Sequence, residues 1–265
     1  QVLLLEGARS TYDLNADYED ELAKQRRQRW ESGNMPDVIK EVRAIVRVRH
    51  LDQIPEPEVE TAGTLARDGY TIEKVILKPE AGLYLPGLLF VPVTATGAPV
   101  LCINEEGKSA DLPAIEALVK TGRAVLAIDL RGTGETRQTA QAAFGPAVGL
   151  DWEDYFRAYV LGNSYVGMRA EDVLIGARYL MKRTSSSSVD LAAVGNVGVP
   201  ALHAAALEPH LFGRVSLKHA LVSWSNVINT RDINNQLINS VHGALKIYDL
   251  PDLAATLGAE LVIEE

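Results

Sequence analysis

Apolar residues recur along this chain with two different periods, and the change between them divides the sequence. In "TYDLNADYEDELAKQRRQRW" (residues 11–30), Tyr18, Leu22, Gln25 and Arg29 fall at helical spacing behind the candidate N-caps Asp13 and Asn15. A second helix is predicted in "MPDVIKEVRAIV", with Pro36 near its first turn. The prolines of "LDQIPEPEVE" lead out of a helical preface placed at residues 1–55. Three strand-like runs follow, "VETAGTLAR", "YTIEKVILK" and "LYLPGLLFVP", separated by "DG" and "PEAG" turn signals, and their close spacing predicts antiparallel pairing.

After "TATGAP" the rhythm changes to alternating strands and helices. "PVLCIN" precedes a helix at "DLPAIEALVKTG", and "AVLAIDL" reads as a strand buried on both faces. A long loop containing "RGTGET" and "FGP" leads to helices around "DWEDYFRAYV" and "MRAEDVLIGARYLMKR". Beyond the polar connector "TSSSSVD" come the strands "LAAVG" and "RVSLKHALV", with the helix "PALHAAAL" between them. A helix at "LPDLAATLG" and a strand at "ELVIEE" close the chain. The pattern predicts an α/β domain over residues 56–265, with a mainly parallel sheet, antiparallel N-terminal strands and helices on both faces.

Composition narrows the function classes. Of 265 residues 47% are hydrophobic and 23% charged, as in an ordinary globular protein, and the net charge of −9 disfavours a nucleic-acid partner. "KQRRQR" at 24–29 reads as a solvated helix face. The single cysteine, Cys102, excludes an internal disulfide and fits a small core residue. No apolar run reaches the length of a membrane span. A start at Gln1 and an end at Glu265 suggest a section of a longer polypeptide.

Three turns are candidates for chemistry. "GNVGVP" (195–200) follows a strand and opens a helix, the context of a G-x-S-x-G nucleophile elbow. Gly195 matches the first glycine, but Val197 stands at the serine position and Val199 at the second glycine, and valine cannot attack a carbonyl. An ordinary strand-to-helix turn is the alternative reading of Gly195, Asn196, Val197 and Gly198. Neither this turn nor "RGTGETR" satisfies a dinucleotide fingerprint, so no cofactor is expected. In "AIDLRGTGET", Asp129 and Arg131 are read as a structural ion pair at the end of a strand. In "INEEGKS", where a hydrolase places oxyanion donors, Glu105 and Glu106 work against stabilising negative charge.

Other nucleophiles and bases are weaker candidates. Ser164 in "LGNSYVG" follows a helical segment rather than a strand; Ser223 and Ser225 could line a cleft or cap a helix. His203 is expected to pack against the sheet and His219 to lie within a strand, with His50 and His210 near turns. His242 lies in a late loop where a triad base could come. No histidine pair has i, i+4 metal-ligand spacing, and no metal site is expected. Trp152, Tyr155, Phe156, Tyr159 and Tyr165 offer either stacking surface for sugars or helix-spaced core residues.

The segments "YTIEKVILKPEAGLYLPGLLFVP", "AVLAIDLRGTGET", "LGNSYVGMRAEDVLIGARYL" and "LAAVGNVGVPALHAAAL" together resemble bacterial α/β-hydrolases of the acetyl xylan esterase and cephalosporin-C deacetylase type, from about Thr61 onward. The resemblance implies an elbow serine at the position of Val197, an acid and a histidine beyond "ELVIEE", and a His-Gly oxyanion pair where this chain has Asn104-Glu105. It therefore implies a non-catalytic, esterase-like half of a larger protein. Its expected partners are an esterase domain of the same or another polypeptide and a polysaccharide, in the periplasm or outside the cell. The competing expectation is an active carbohydrate ester hydrolase that uses Ser164 or residues lent by another chain.

Overall fold

The computed structural model describes residues 5–138, 149, 152–230 and 235–264, so the "FGP" segment, Gln1 and Glu265 lie outside the described residues. Eight strands form one sheet, in the order β1 (Glu58–Arg67), β2 (Tyr70–Glu80), β3 (Leu83–Pro92), β5 (Val125–Ile128), β4 (Val100–Asn104), β6 (Val189–Val194), β7 (Phe212–Lys218) and β8 (Leu261–Glu264). The first three strands and β5 pair antiparallel in succession. From β5 through β4, β6 and β7 to β8 the pairing is parallel. This is the mixed sheet that the hydrophobic pattern predicts.

Side-chain alternation along β5 separates the two faces of the sheet. Val125 and Ala127 join a small apolar cluster with Ile115 and Val119 of α3 (Leu112–Lys120). Leu126 and Ile128 point the other way, into the main core with α5 (Tyr165–Thr184) and α6 (Gly198–Leu207). Close approach on that face is set by Gly176 of α5, where a Cβ would press on the side chains of Ile128 and Leu101. Helices thus cover both faces.

The preface helices α1 (Thr11–Ser32) and α2 (Met35–Val46) are tied into the same body. Val42 and Val46 are fully buried in the main core, and Arg43 reaches Glu208 at 2.8 Å and the Leu207 carbonyl. Ser10, rather than Asp13 or Asn15, caps α1, in a capping box with Asp13. The buried face of α1 also differs from the expected one: Glu19, Leu22 and Arg26 face inward while Tyr18 is exposed. The cause is polar. Arg26 pairs with Glu19 at 2.6 Å and donates to the Leu245 carbonyl at 2.7 Å, satisfying a charge pair that hydrophobic periodicity cannot register.

One further expectation changes, and of the two uses open to Ser223 the structure has the cap. The "RVSLKHALV" strand stops at Lys218, and His219 takes a left-handed backbone (φ 53°) outside it. Ser223 caps the short helix α7 (Trp224–Asn229) by accepting from the Asn226 amide, and its hydroxyl donates to Asp249 at 2.7 Å. The remaining helices, α4 (Trp152–Val160) and α8 (Leu250–Leu257), fall where predicted. Among the described residues no helix is long and apolar enough to cross a membrane.

His203, in α6, is wholly enclosed. Its Nδ1 donates to the Val199 carbonyl at 2.7 Å, because a carbonyl can only accept, and Nε2 therefore accepts from the Tyr248 hydroxyl at 2.7 Å. Burial pushes this imidazole down to about 4 from 6.5. The unfolded chain then binds the proton more readily, so the stabilisation from the neutral ring is complete above pH 6.5 and is lost as pH falls through 6.5 toward 4. Urea unfolding at pH 7 and pH 5 should differ by about 2 kcal/mol from this residue, and a His203→Gln variant should lose that part of the slope.

Candidate functional site

The parallel half of the sheet grows from β4 in two directions, toward β5 on one side and toward β6, β7 and β8 on the other. Loops leaving β4 and β6 at their carboxyl ends therefore diverge, which opens a crevice of the kind where ligands bind in such sheets. Three segments meet there: residues 105–111 after β4, 129–138 after β5, and 195–197 after β6.

Asp129 welds the first two together. Its carboxylate is inaccessible to solvent and accepts from the Lys108 amide (2.6 Å), the Lys108 ammonium (2.6 Å) and the Glu135 amide (3.0 Å). The Lys108 ammonium also reaches Glu135 at 2.6 Å. Gly134, with φ 50°, lies so close that a Cβ there would overlap the Asp129 carboxylate. The expected Asp129–Arg131 pair is not formed. Arg131 turns instead to Asp172 on α5, at 2.9 and 2.5 Å, and gives its amide to the same carboxylate at 3.0 Å. The reason is access: each fully buried carboxylate takes the donors nearest to it, and Lys108 already serves Asp129.

The turn after β6 departs from the elbow expected at Val197. Gly195 alone among residues 195–198 has a positive φ, 79°, while Val197 has ordinary right-handed backbone (φ −75°, ψ −7°). The Val197 side chain is fully buried in the main core rather than presented to the crevice. The Gly198 amide donates back to the Gly195 carbonyl within a single 3-10 turn. The sharp bend is therefore taken at Gly195, two residues before the position that motif spacing suggests.

Glu105 lies across this bend. Its amide donates to the Val194 carbonyl (3.1 Å), its own carbonyl accepts from Arg137 (2.6 Å), and its carboxylate accepts from the Asn196 amide (2.9 Å). A Cβ on Gly195 would stand 2.6 Å from both Glu105 carboxylate oxygens, so the glycine is needed for the close approach as well as for φ. The Asn196 side chain accepts from buried Asn239 at 2.9 Å. Around these groups is a cleft of about 200 Å³ whose walls include Glu105, Glu106, Arg137, Arg169, Thr133 and Asn196. Arg169 is held over the Tyr165 ring at 4.5 Å and donates to the Arg131 carbonyl at 2.9 Å.

The other sequence candidates lie elsewhere. Ser164 is the buried N-cap of α5, accepting from the Gly167 amide at 3.2 Å. It lines a second cleft of about 400 Å³ with His242, Tyr155 and Tyr159. Ser225 donates to Glu19 beneath α1. Cys102 packs at the margin of the small apolar cluster, where burial pushes its thiol up to about 12 and leaves it unreactive at neutral pH. Among the described residues no three His, Cys, Asp or Glu side chains are grouped to hold a metal ion. Sequence reasoning missed Lys108, Asp172 and Asn239. Lys108 stood within the quoted "INEEGKS", and a lysine beside a tight glycine turn was the available signal.

A mixed sheet with this order, entered by antiparallel strands and turning into helices at β4 and β6, is an α/β-hydrolase-like fold. A candidate acetyl xylan esterase from Bacteroides fragilis superposes with a TM-score of 0.71, covering 99% of this chain and 77% of its own at 15% identity. Acetyl xylan esterases from Paenibacillus sp. R4 (TM-score 0.56, 97% and 79% covered, 16% identity) and Thermoanaerobacterium sp. (0.54, 80% and 74%, 16%) are similar in the same way. At these identities the likeness is one of fold. No family model matches the sequence, and no curated protein does.

Replacing Asp129 by Asn should test the weld. It leaves the Lys108 ammonium with the exposed Glu135 carboxylate as its remaining partner, and losing the charged acceptor of buried hydrogen bonds should cost about 2 kcal/mol or more. Glu135→Gln, whose carboxylate is 70% exposed, should cost less than about 1 kcal/mol in the same urea titrations.

Proposed function

We propose that this chain is a non-catalytic α/β-hydrolase-like unit, built as a helical preface (residues 1–55) on a hydrolase-like body (56–265). The observation that carries the reading is the Glu105 carboxylate on the Asn196 amide at 2.9 Å. In an elbow the amide following the nucleophile stabilises the oxyanion. With the apex at Gly195 that amide is Asn196, and it already holds a negative charge where charge would have to develop. With the apex at Val197 the amide would be Gly198, which is bonded to the Gly195 carbonyl, behind a buried side chain without a proton to lose. Either register supports the same conclusion. In this reading the unit works beside an esterase domain of the same or a partner polypeptide, on polysaccharide.

A second reading has one observation in its favour: Ser164 and His242 line the same cleft. It would make the chain an active ester hydrolase with its nucleophile at a helix N-cap. Incubation with a fluorophosphonate, followed by intact-mass measurement and p-nitrophenyl acetate turnover, separates the two. We expect no adduct and turnover at the buffer rate. A stoichiometric adduct that disappears in Ser164→Asn, a change that keeps a capping oxygen, would establish the second reading and remove the first.

A further inference from the structure

We infer that the second cleft, between the end of α2, the α4–α5 corner and residues 240–247, is a binding site for a carboxylate carried on a six-membered ring. It is separate from the bend at Gly195, so its failure would leave the proposed function untouched, and the reverse.

One wall is aromatic. The rings of Tyr155 and Tyr159, one helical turn apart on α4, lie nearly parallel (13°) with centroids 6.3 Å apart, and the His242 ring packs T-shaped with Tyr159, centroids 5.3 Å apart. Tyr159 keeps 44% of its surface exposed, so part of it is open to a ligand. Such a wall accepts a flat ring or the C–H face of a sugar.

The charged part of the same lining is cationic. Arg47 and Lys246 both line the cleft, and among the described residues neither has an acidic side chain as its ion-pair partner. Among the described residues no acidic side chain lines this cleft, although the chain as a whole carries a net charge of −9. Two cations without an acidic partner among the described residues, sharing a cleft with two tyrosines in an acidic protein, match a ligand that brings negative charge.

Both cations are rooted in fixed backbone. Arg47 is the left-handed C-cap of α2 (φ 61°), its amide bonded to the Arg43 carbonyl, between the buried valines Val46 and Val48. Lys246 sits between two anchored carbonyls: Leu245 accepts from Arg26 at 2.7 Å, and Ile247 accepts from the Trp30 indole at 2.9 Å. Less ordering of the protein is therefore needed on binding. A volume of about 400 Å³ is more than an inorganic ion fills, and the tyrosine wall gives the remainder a use.

The test is calorimetric titration of the full chain at low salt with sodium glucuronate and with sodium benzoate. Glucose and benzyl alcohol serve as the neutral counterparts and sodium acetate as the acid without a ring. At least one ring acid should bind with a Kd of about 1 mM or tighter, at least about tenfold tighter than its neutral counterpart and than acetate. Glucuronate alone would identify a sugar acid, benzoate alone an aromatic acid, and both would mean that the shared chemistry suffices. The double variant Arg47→Gly with Lys246→Ala should weaken binding by about tenfold or more. Glycine suits the left-handed position, so the fold is preserved and an unchanged thermal midpoint checks it. Tyr159→Ala should bring the ring acid down toward acetate. The inference is overturned if a neutral counterpart or acetate binds as tightly as the ring acids, if the double variant binds unchanged, or if neither acid binds at about 100 mM.

Discussion

A buried carboxylate needs donors, and the loops at the carboxyl ends of the strands are arranged around the needs of Asp129. It sits at the end of β5 without solvent and receives an amide and an ammonium from the loop after β4 and a second amide from its own loop. Those bonds fix the path of residues 105–108, and with it the direction in which Glu105 leaves β4. Arg137, from the same stretch that contributes Glu135, then clamps the Glu105 carbonyl. An unpaired charge in this position would be costly, so the loops have little freedom to rearrange.

The consequence falls on the bend after β6. An acyl-transfer site needs a side-chain nucleophile at a strained turn and an empty pair of amide donors beside it. Here the strained position is a glycine, and the adjacent amide is occupied by a carboxylate that touches the place a Cβ would fill. The two features depend on each other. A side chain at Gly195 would expel Glu105, and Glu105 can lie there only because no side chain exists. The fold keeps its core because packing specifies the fold, while chemistry depends on a few side chains.

The preface belongs to this logic rather than standing beside it. Arg26 and Trp30 of α1 fix the carbonyls of Leu245 and Ile247, and Arg43 of α2 fixes the end of α6. The segment that carries His242 and Lys246 is therefore held by residues some two hundred positions earlier in the chain, and the open cleft beside it inherits their rigidity.

Local patterns made much of this legible. The antiparallel entry, the alternation of strands and helices, the packing of Cys102 against an apolar cluster and the absence of serine from "GNVGVP" all follow from periodicity and residue type, which act over a few residues. The buried side of α1 differs from the one its pattern predicts because a buried Glu19–Arg26 pair reads as polar surface. Motif spacing put the bend at Val197, whereas the left-handed backbone fell to Gly195, the residue that takes it without steric cost. The pairings Lys108–Asp129, Arg131–Asp172 and Glu105–Asn196 join residues 21, 41 and 91 positions apart. Sequence alone determined the elements and the absence of serine from "GNVGVP". Only the tertiary structure decided which carboxylate met which donor, because that depends on β4 lying between β5 and β6, and strand order is set by packing of the whole sheet.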